Sequence, residues 1–366
     1  MIHPHRTNTV RPLRAPIRPV PFESVAPTPV PGWRKIRVLV DGRANGTVPG
    51  FSLSAGGLEL PANFRSDPQQ HSDSDTVLLF TAGGPVLTYH GEDLSSWSVQ
   101  WPGDLLTIPR GTPYVVDVLS EHVGTTGYVV RSTSSLLVDN LARPDLDGQA
   151  AALSDAAREH WENWTPAPGR CAVVPFTSVA PVVTPQGHRI RPLVDGEPGG
   201  NTPGMRLSVG GLDVPGAFLA HPHHHPETHV LVLATECPAE GALTLHGERL
   251  EHDAVQYSGD LLPIPAGRDY AHTVQNLSLT EPIGRVYEFR SRTSVLCDNP
   301  RLPGLLPIAE RRGRAALERL HGVAAVAAHL RAANPAQPRA DLAKRPQRVD
   351  RVAERNAPRS ETGARS

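Results

Sequence analysis

The sequence is poor in cysteine, methionine and aromatic residues, and neither sign of charge is in surplus. Its three cysteines, Cys171, Cys237 and Cys297, form no CxxC pair. That excludes a disulfide framework and a thiolate zinc motif, and it fits a reducing compartment. The 36 basic and 37 acidic residues leave a formal net charge of -1, so no general polyanion partner is indicated. No run approaches the roughly 18 uninterrupted apolar residues of a membrane span, and MIHPHRTNTVRPLRAPIRPV lacks the apolar stretch of a signal peptide. These absences lead to the expectation of a cytoplasmic protein with neither membrane nor nucleic acid as partner. Aromatic residues make up 5%, whereas glycine and proline number 32 and 38. This balance favours short strands and turns over long helices.

The chain is duplicated. VPFESVAP at Val20 returns as VPFTSVAP at Val174, and LVDGRANGTVPGFSLSAGGLELPANF from Leu39 returns from Leu193 as LVDGEPGGNTPGMRLSVGGLDVPGAF. TYHGE at Thr88 recurs as TLHGE at Thr244, WPGDLLTIPRG as YSGDLLPIPAG, and RSTSSLLVDN from Arg131 as RSRTSVLCDN from Arg290. Each half is therefore one structural unit. Alternating runs such as DTVLLF and HVLVLA predict two adjacent all-β barrels. Gly56-Gly57 and Gly210-Gly211 read as tight turns, and Asp41 and Asp195, each before glycine, as turn caps. Arg131 and Arg290, at a fixed spacing from Asp139 and Asp298, suggest a repeated structural contact. Arg290 is alternatively placed to hold a substrate carboxylate, with Glu288 and Tyr287 on the same strand.

The chemistry concentrates in HPHHHPETHVLVLAT. His221, His223, His225, Glu227 and His229 occupy every second position, so an extended strand points all five to one face. Four imidazoles and a carboxylate crowded there are costly to bury unpaired. A divalent metal resolves the conflict, and nitrogen and oxygen donors suit Fe, Mn, Ni, Cu or Zn. GDLLPIPAGRDYAHTVQN adds His272. Laid over the second half, the first has Asp67, Gln69, His71, Asp73 and Asp75 at these five positions, and the Val115–Val116 region opposite His272. The first half is thus expected to keep the strands and lose the site. His90 and His246 recur in both halves and read as turn or packing residues.

These stretches resemble the two motifs of the cupin superfamily. His221, His223 and Glu227 follow the H-x-H, three residues, E of the first. Gly216 lies one residue too close, and Ala234 replaces the trailing glycine. Gly259, Pro265, Gly267, His272 and Asn276 follow the second, with two extra residues before the histidine. The resemblance implies tandem double-stranded β-helix (jelly-roll) barrels with peripheral helices. It implies one divalent metal per chain, with Fe(II) expected and Mn, Ni, Cu or Zn as alternatives. The favoured ligand set is His221, His223, Glu227 and His272. A second register gives His223, His225, His229 and His272, an all-nitrogen set as in the thiol dioxygenases of the class. Glu227, His225 and His229 are the candidates for moving protons, according to which register holds.

The resulting organisation is a proline-rich arm (1–19), a first barrel with a degenerate site (20–148), a helical linker (149–170), a metal-binding barrel (171–300), a helical segment (301–334) and a disordered tail (335–366). In two-barrel cupins such arms often cross to the other barrel. The linker helix is expected over 149–164, with Trp161 and Trp164 packing, and the later one near 309–333, weakened by Gly313 and Gly322. The leading functional expectation is a mononuclear iron oxygenase acting on a small polar or aromatic metabolite and O2, as a homodimer. A Zn- or Mn-dependent isomerase or lyase is the alternative, and a non-catalytic metal-dependent small-molecule-binding protein is the third reading.

Overall fold

Short apolar runs bounded by glycine and proline form strands throughout the chain. The computed structural model describes residues 17–30, 32–33, 35–160, 163–164, 169–184, 189–297 and 299–333. Earlier strands are β1 (Arg37–Val40), β2 (Ser54–Leu60), β3 (Gln69–Gln70), β4 (Thr76–Gly83), β5 (Val86–His90), β6 (Ser96–Gln100), β7 (Leu105–Ile108), β8 (Tyr114–Val118), β9 (Thr125–Arg131) and β10 (Leu141–Ala142). Later ones are β11 (Ala172–Val174), β12 (Val182–Val183), β13 (Arg189–Val194), β14 (Ser208–Val214), β15 (Val230–Ala234), β16 (Ala242–His246), β17 (His252–Gln256), β18 (Leu261–Ile264), β19 (His272–Asn276) and β20 (Ile283–Arg290).

They make four antiparallel sheets, two per repeat. The first repeat has β1-β2-β9-β4-β7-β11 against β10-β3-β8-β5-β6, and the second has β12-β13-β14-β20-β15-β18 against β17-β16-β19. In the first repeat, Leu58, Leu78 and Leu106 of one sheet share a core with Tyr114, Val116 and Val118 of the other. The architecture is all-β with antiparallel sheets and added helices, as the sequence suggested.

The repeats exchange chain. Val20 exchanges backbone hydrogen bonds with Leu261 of β18, at 2.7 and 3.0 Å. Its repeat counterpart Val174, on β11, pairs with Leu105 of β7. Ile17, from the proline-rich arm, packs with Val230, Leu262 and Ile264 of the second repeat. The remaining arm residues, 1–16, lie outside the described residues, as does the tail from 334.

One shared core joins β2, β4 and β9 to β14, β15 and β20, with Phe51, Leu53, Leu79, Leu207, Leu231 and Phe289 inside it. Two tyrosines at its edge act reciprocally. The Tyr128 hydroxyl donates to the Gly259 carbonyl at 2.7 Å, and the Tyr287 hydroxyl donates to the Gly103 carbonyl at 2.8 Å.

Some local expectations change. The paired glycines lie within β2 and β14 rather than in turns. A Cβ on Gly57 would stand 2.4 Å from the Phe22 ring, and one on Gly210 2.4 Å from Ile190, so the sheet needs glycine to let neighbouring side chains lie across it. The aspartate caps do form, with the Arg43 and Glu197 backbone N–H groups donating to Asp41 and Asp195. Arg131 meets Asp139 at 3.5 Å, whereas Asp298 lies outside the described residues.

The linker helix is α1 (Asp147–His160), whose Ala150 and Ala157 pack on Leu87, Tyr89 and Val115. Trp164 packs on Trp97 with ring centres 5.2 Å apart, and Trp161 lies outside the described residues. The later helix is two, α2 (Leu306–His321) and α3 (Val323–Ala333). Gly322, at φ +82°, separates them. Gly313 stays helical because its missing Cβ makes room for the Gln275 side chain, 2.7 Å from where that carbon would be. The chain divides into a larger unit ending at Leu320 and a smaller one from His321. Among the described residues, no helix is long and apolar enough to cross a membrane.

Candidate metal centre

Residues 221–229 are not a strand, so the five donors do not share one face. Pro222 and Pro226 remove two backbone donors and fix φ, and pairing is confined to isolated bridges at His223, to His272 and to Arg301. There the His223 N–H donates to the His272 carbonyl at 3.0 Å and the His272 N–H to the His223 carbonyl at 2.8 Å. His225 is anchored next to it, its carbonyl accepting the Gly267 N–H at 2.7 Å. Gly267 has φ +115°, a conformation that L side chains rarely adopt.

This backbone brings His223, His225 and His272 together. All three are buried, and one ligand nitrogen from each lies within 4.8 Å of the others. The other members of the two sequence-derived sets lie elsewhere. Glu227 is exposed and meets Arg292 at 3.0 Å. His221 stays outside the cluster, and its carbonyl accepts from the His223 ring at 3.0 Å. His229 is turned to the first repeat: its Nδ1 accepts the Ser52 N–H at 2.7 Å, and its ring stacks on Phe51 with centres 4.7 Å apart. Its repeat counterpart, Asp75, accepts the Arg206 N–H at 2.5 Å. Position 229 therefore joins the repeats.

The three imidazoles fit a divalent ion. A backbone carbonyl only accepts, so the His223 Nδ1 opposite the His221 carbonyl and the His272 Nδ1 opposite the Tyr270 carbonyl, at 2.9 Å, both carry the proton. That tautomer leaves Nε2 as the lone-pair nitrogen of each ring, an orientation typical of histidine ligands. Burial, reinforced by the neighbouring His223, pushes the His272 pKa down to about 3, so the ring is neutral at physiological pH. The all-nitrogen set suits the borderline divalent ions of the first transition row.

A cavity of about 70 Å³ opens beside His223 and His272. Its walls are largely aliphatic, with Val230, Val232, Leu262, Ile264 and Val286 among them. By the volume a buried water needs, it holds about five water-sized groups. Gln256 and Thr244 add polar atoms to the lining, but Gln256 is committed to the Val232 and Asp260 carbonyls. Glu288 is different. It is 8% exposed, and its Oε1 takes both Arg290 contacts, Nε at 2.6 Å and Nη2 at 2.5 Å. Arg290 also donates to the Cys297 carbonyl and to Asn299, both at 2.9 Å. Arg290 thus ties Glu288 to the segment that follows β20.

The first repeat puts different side chains at the equivalent place. His90 of β5 pairs with Tyr114, as His246 of β16 pairs with His272. Gln69 bridges Tyr114, as His223 bridges His272. The residue opposite His272 is therefore Tyr114, not the Val115–Val116 region; the second repeat's insertion falls before the strand and shifts a linear alignment. The Tyr114 hydroxyl lies 2.8 Å from His71 Nε2, and His71 Nδ1 lies 2.9 Å from the Asp139 carbonyl. The trio of the second repeat has become Gln69, His71 and Tyr114. At the Glu288 position, opposite Gly210, the first repeat has Val129 opposite Gly56. The pairing of Arg131 with Arg290 in the repeat was the sequence signal that exposes this difference.

No protein-family model and no curated sequence matches the chain. Solved structures do. The tomato (Solanum lycopersicum) vicilin is 14% identical with a TM-score of 0.53, over 78% of this chain and 87% of that one. Procruciferin, an 11S globulin from Brassica napus, is 12% identical with a TM-score of 0.52, over 76% and 84%. Oxalate decarboxylase from Bacillus subtilis is 15% identical with a TM-score of 0.54, over 82% of each chain. At these identities the likeness establishes the two-repeat cupin fold. It carries no activity across.

Proposed function

We propose that the second repeat is a metal-dependent lyase or isomerase site for a small metabolite that binds the metal through oxygen. The observation that carries this reading is the buried His223, His225 and His272 trio, two of whose rings, His223 and His272, line a cavity of about 70 Å³. The fold is shared with an enzyme named oxalate decarboxylase as well as with vicilins, and the intact trio favours the enzyme side of that pair.

His223, His225 and His272 would hold Mn or Zn, which when bound supplies a Lewis acid that polarises a carbonyl or carboxylate oxygen. The protein's own part is geometric. The bridge between His223 and His272 fixes two rings relative to each other, and the Tyr270 and His221 carbonyls fix their tautomers. The aliphatic wall limits the ligand to a few heavy atoms and keeps bulk water from the reacting bond. Glu288, on the same wall and held by Arg290, presents a carboxylate to the ligand.

Metal analysis of anaerobically purified protein, followed by a screen of small oxygen-bearing acids with and without O2, tests this. One equivalent of Mn or Zn, lost in His272→Ala, with turnover indifferent to O2, is the expected result. Iron with substrate-coupled O2 uptake would establish the oxygenase reading instead. Tight ligand binding without turnover would leave a metal-dependent binding protein.

A further inference from the structure

We infer that Glu288 selects the ligand of the second-repeat cavity: a small molecule with one metal-seeking carboxylate and, at its other end, an N–H or O–H donor. This rests on the metal-site reading above and goes beyond it by naming the ligand's chemistry.

Three observations carry it. First, Glu288 lines the cavity together with His223 and His272, so one small molecule reaches both the metal position and the carboxylate. Second, the two oxygens of Glu288 are not equivalent. Oε1 receives Nε and Nη2 of Arg290, whereas Oε2 has no hydrogen bond among the described residues. That oxygen stays accessible from the cavity, where a ligand donor would give it a hydrogen bond in largely aliphatic surroundings. Third, the repeat supplies an internal control. Where the histidine trio is replaced by Gln69, His71 and Tyr114, the Glu288 position holds Val129, 1% exposed. The sheet therefore tolerates an aliphatic residue there, and the carboxylate accompanies the intact trio.

The same geometry disfavours a ligand with two carboxylates. Once one carboxylate engages the metal, the second faces Oε2 with acceptor against acceptor and like charge against like. Arg290 offsets part of the charge but reaches only Oε1. Rejection of this kind is a strong source of specificity, because both groups lose water and neither gains a donor.

Oxalate and oxamate form a matched pair of probes. They have the same number of heavy atoms, and oxamate replaces one carboxylate with an amide that donates. The protein is loaded with Zn, its metal content is measured, and both probes are titrated calorimetrically into wild type, Glu288→Gln and Glu288→Val. Wild type is expected to bind oxamate at least about tenfold more tightly than oxalate. In Glu288→Gln, whose amide donates as well as accepts, the preference should fall to about twofold or reverse. Glu288→Val, which installs the first-repeat residue, should lose it too. Wild type binding oxalate as well as oxamate overturns the inference. So does a preference unchanged in both variants at equal Zn content, or a Zn-loaded protein that binds neither probe. Failure of wild type to hold Zn instead removes the metal-site reading on which the inference stands, and the metal analysis tells the two failures apart.

Discussion

In the first repeat a tyrosine hydroxyl lies 2.8 Å from His71; in the second, the same strand position carries His272, within 4.8 Å of two further imidazoles. The strand pairings at the site and the glycine that anchors the loop agree between the two: Tyr114 pairs with Gln69 and His90 as His272 pairs with His223 and His246. Gly111 donates to the His71 carbonyl as Gly267 donates to the His225 carbonyl. Two of the three site side chains differ, Gln69 for His223 and Tyr114 for His272, and Val129 stands in place of Glu288. A cupin sheet pair is therefore a frame that holds its shape whether or not the donors at its mouth fit a metal. The first repeat satisfies its remaining histidine internally, with Tyr114 on one ring nitrogen and the Asp139 carbonyl on the other.

The largest effect expected from this comparison is on metal content. His272→Ala should take a protein with about one equivalent of bound metal to near none, while His71→Gln leaves the content unchanged. Loss in both variants, measured by elemental analysis, would mean that the repeats share one site. A constructive experiment sharpens the contrast. Gln69→His combined with Tyr114→His restores the second repeat's trio around His71, and a second equivalent of metal is expected. Retention of a single equivalent would show that the frame itself has diverged.

Stability gives the next tier. A ligand that binds only the folded state at 100 times its dissociation constant stabilises by about 2.7 kcal/mol. Added Mn or Zn should therefore raise the denaturation midpoint of wild type and leave that of His272→Ala unmoved.

Metal-free protein should also lose stability in acid. Burial holds the His71 pKa down at about 3, with Arg131 adding to the effect, and burial alone holds His229 at about 4. The unfolded chain takes up these protons near the ordinary value of about 6.5. As the pH falls from about 6.5 towards 4, the unfolded state binds more protons and stability declines; above 6.5 neither group contributes a slope. A denaturation midpoint equal at pH 7.5 and 4.5 would contradict this.

The smallest effect concerns the seam. Tyr128→Phe and Tyr287→Phe each remove one hydrogen bond between the repeats, at about 1 kcal/mol each. Unequal losses in matched unfolding curves would show that the seam is less symmetric than its geometry.

Much of this was legible in the chain. The repeated segments gave two equivalent sheet pairs, and the absence of long apolar runs left short strands as the available elements. His223, His225 and His272 all stood among the residues singled out. What the alternation of donors could not convey was that Pro222 and Pro226 interrupt the strand. That interruption sends Glu227 to solvent and turns His229 towards Ser52. Linear alignment also misplaced the counterpart of His272, because two inserted residues are absorbed before the strand and only hydrogen-bond register reveals where pairing resumes. Gly56 and Gly57 read as a turn for a similar reason: local preference reports backbone freedom, whereas here the missing Cβ serves neighbouring side chains.

By itself, the sequence determined that the chain is a duplicated β protein whose candidate metal ligands lie in its second repeat, because periodicity and residue type are local properties written in order along the chain. Which histidines meet, which carboxylate faces the cavity, and how His71 of the first repeat is satisfied were decided only in three dimensions. Those outcomes depend on contacts between residues tens of positions apart, such as His223 with His272 and His71 with Tyr114, and on backbone register that no single segment specifies.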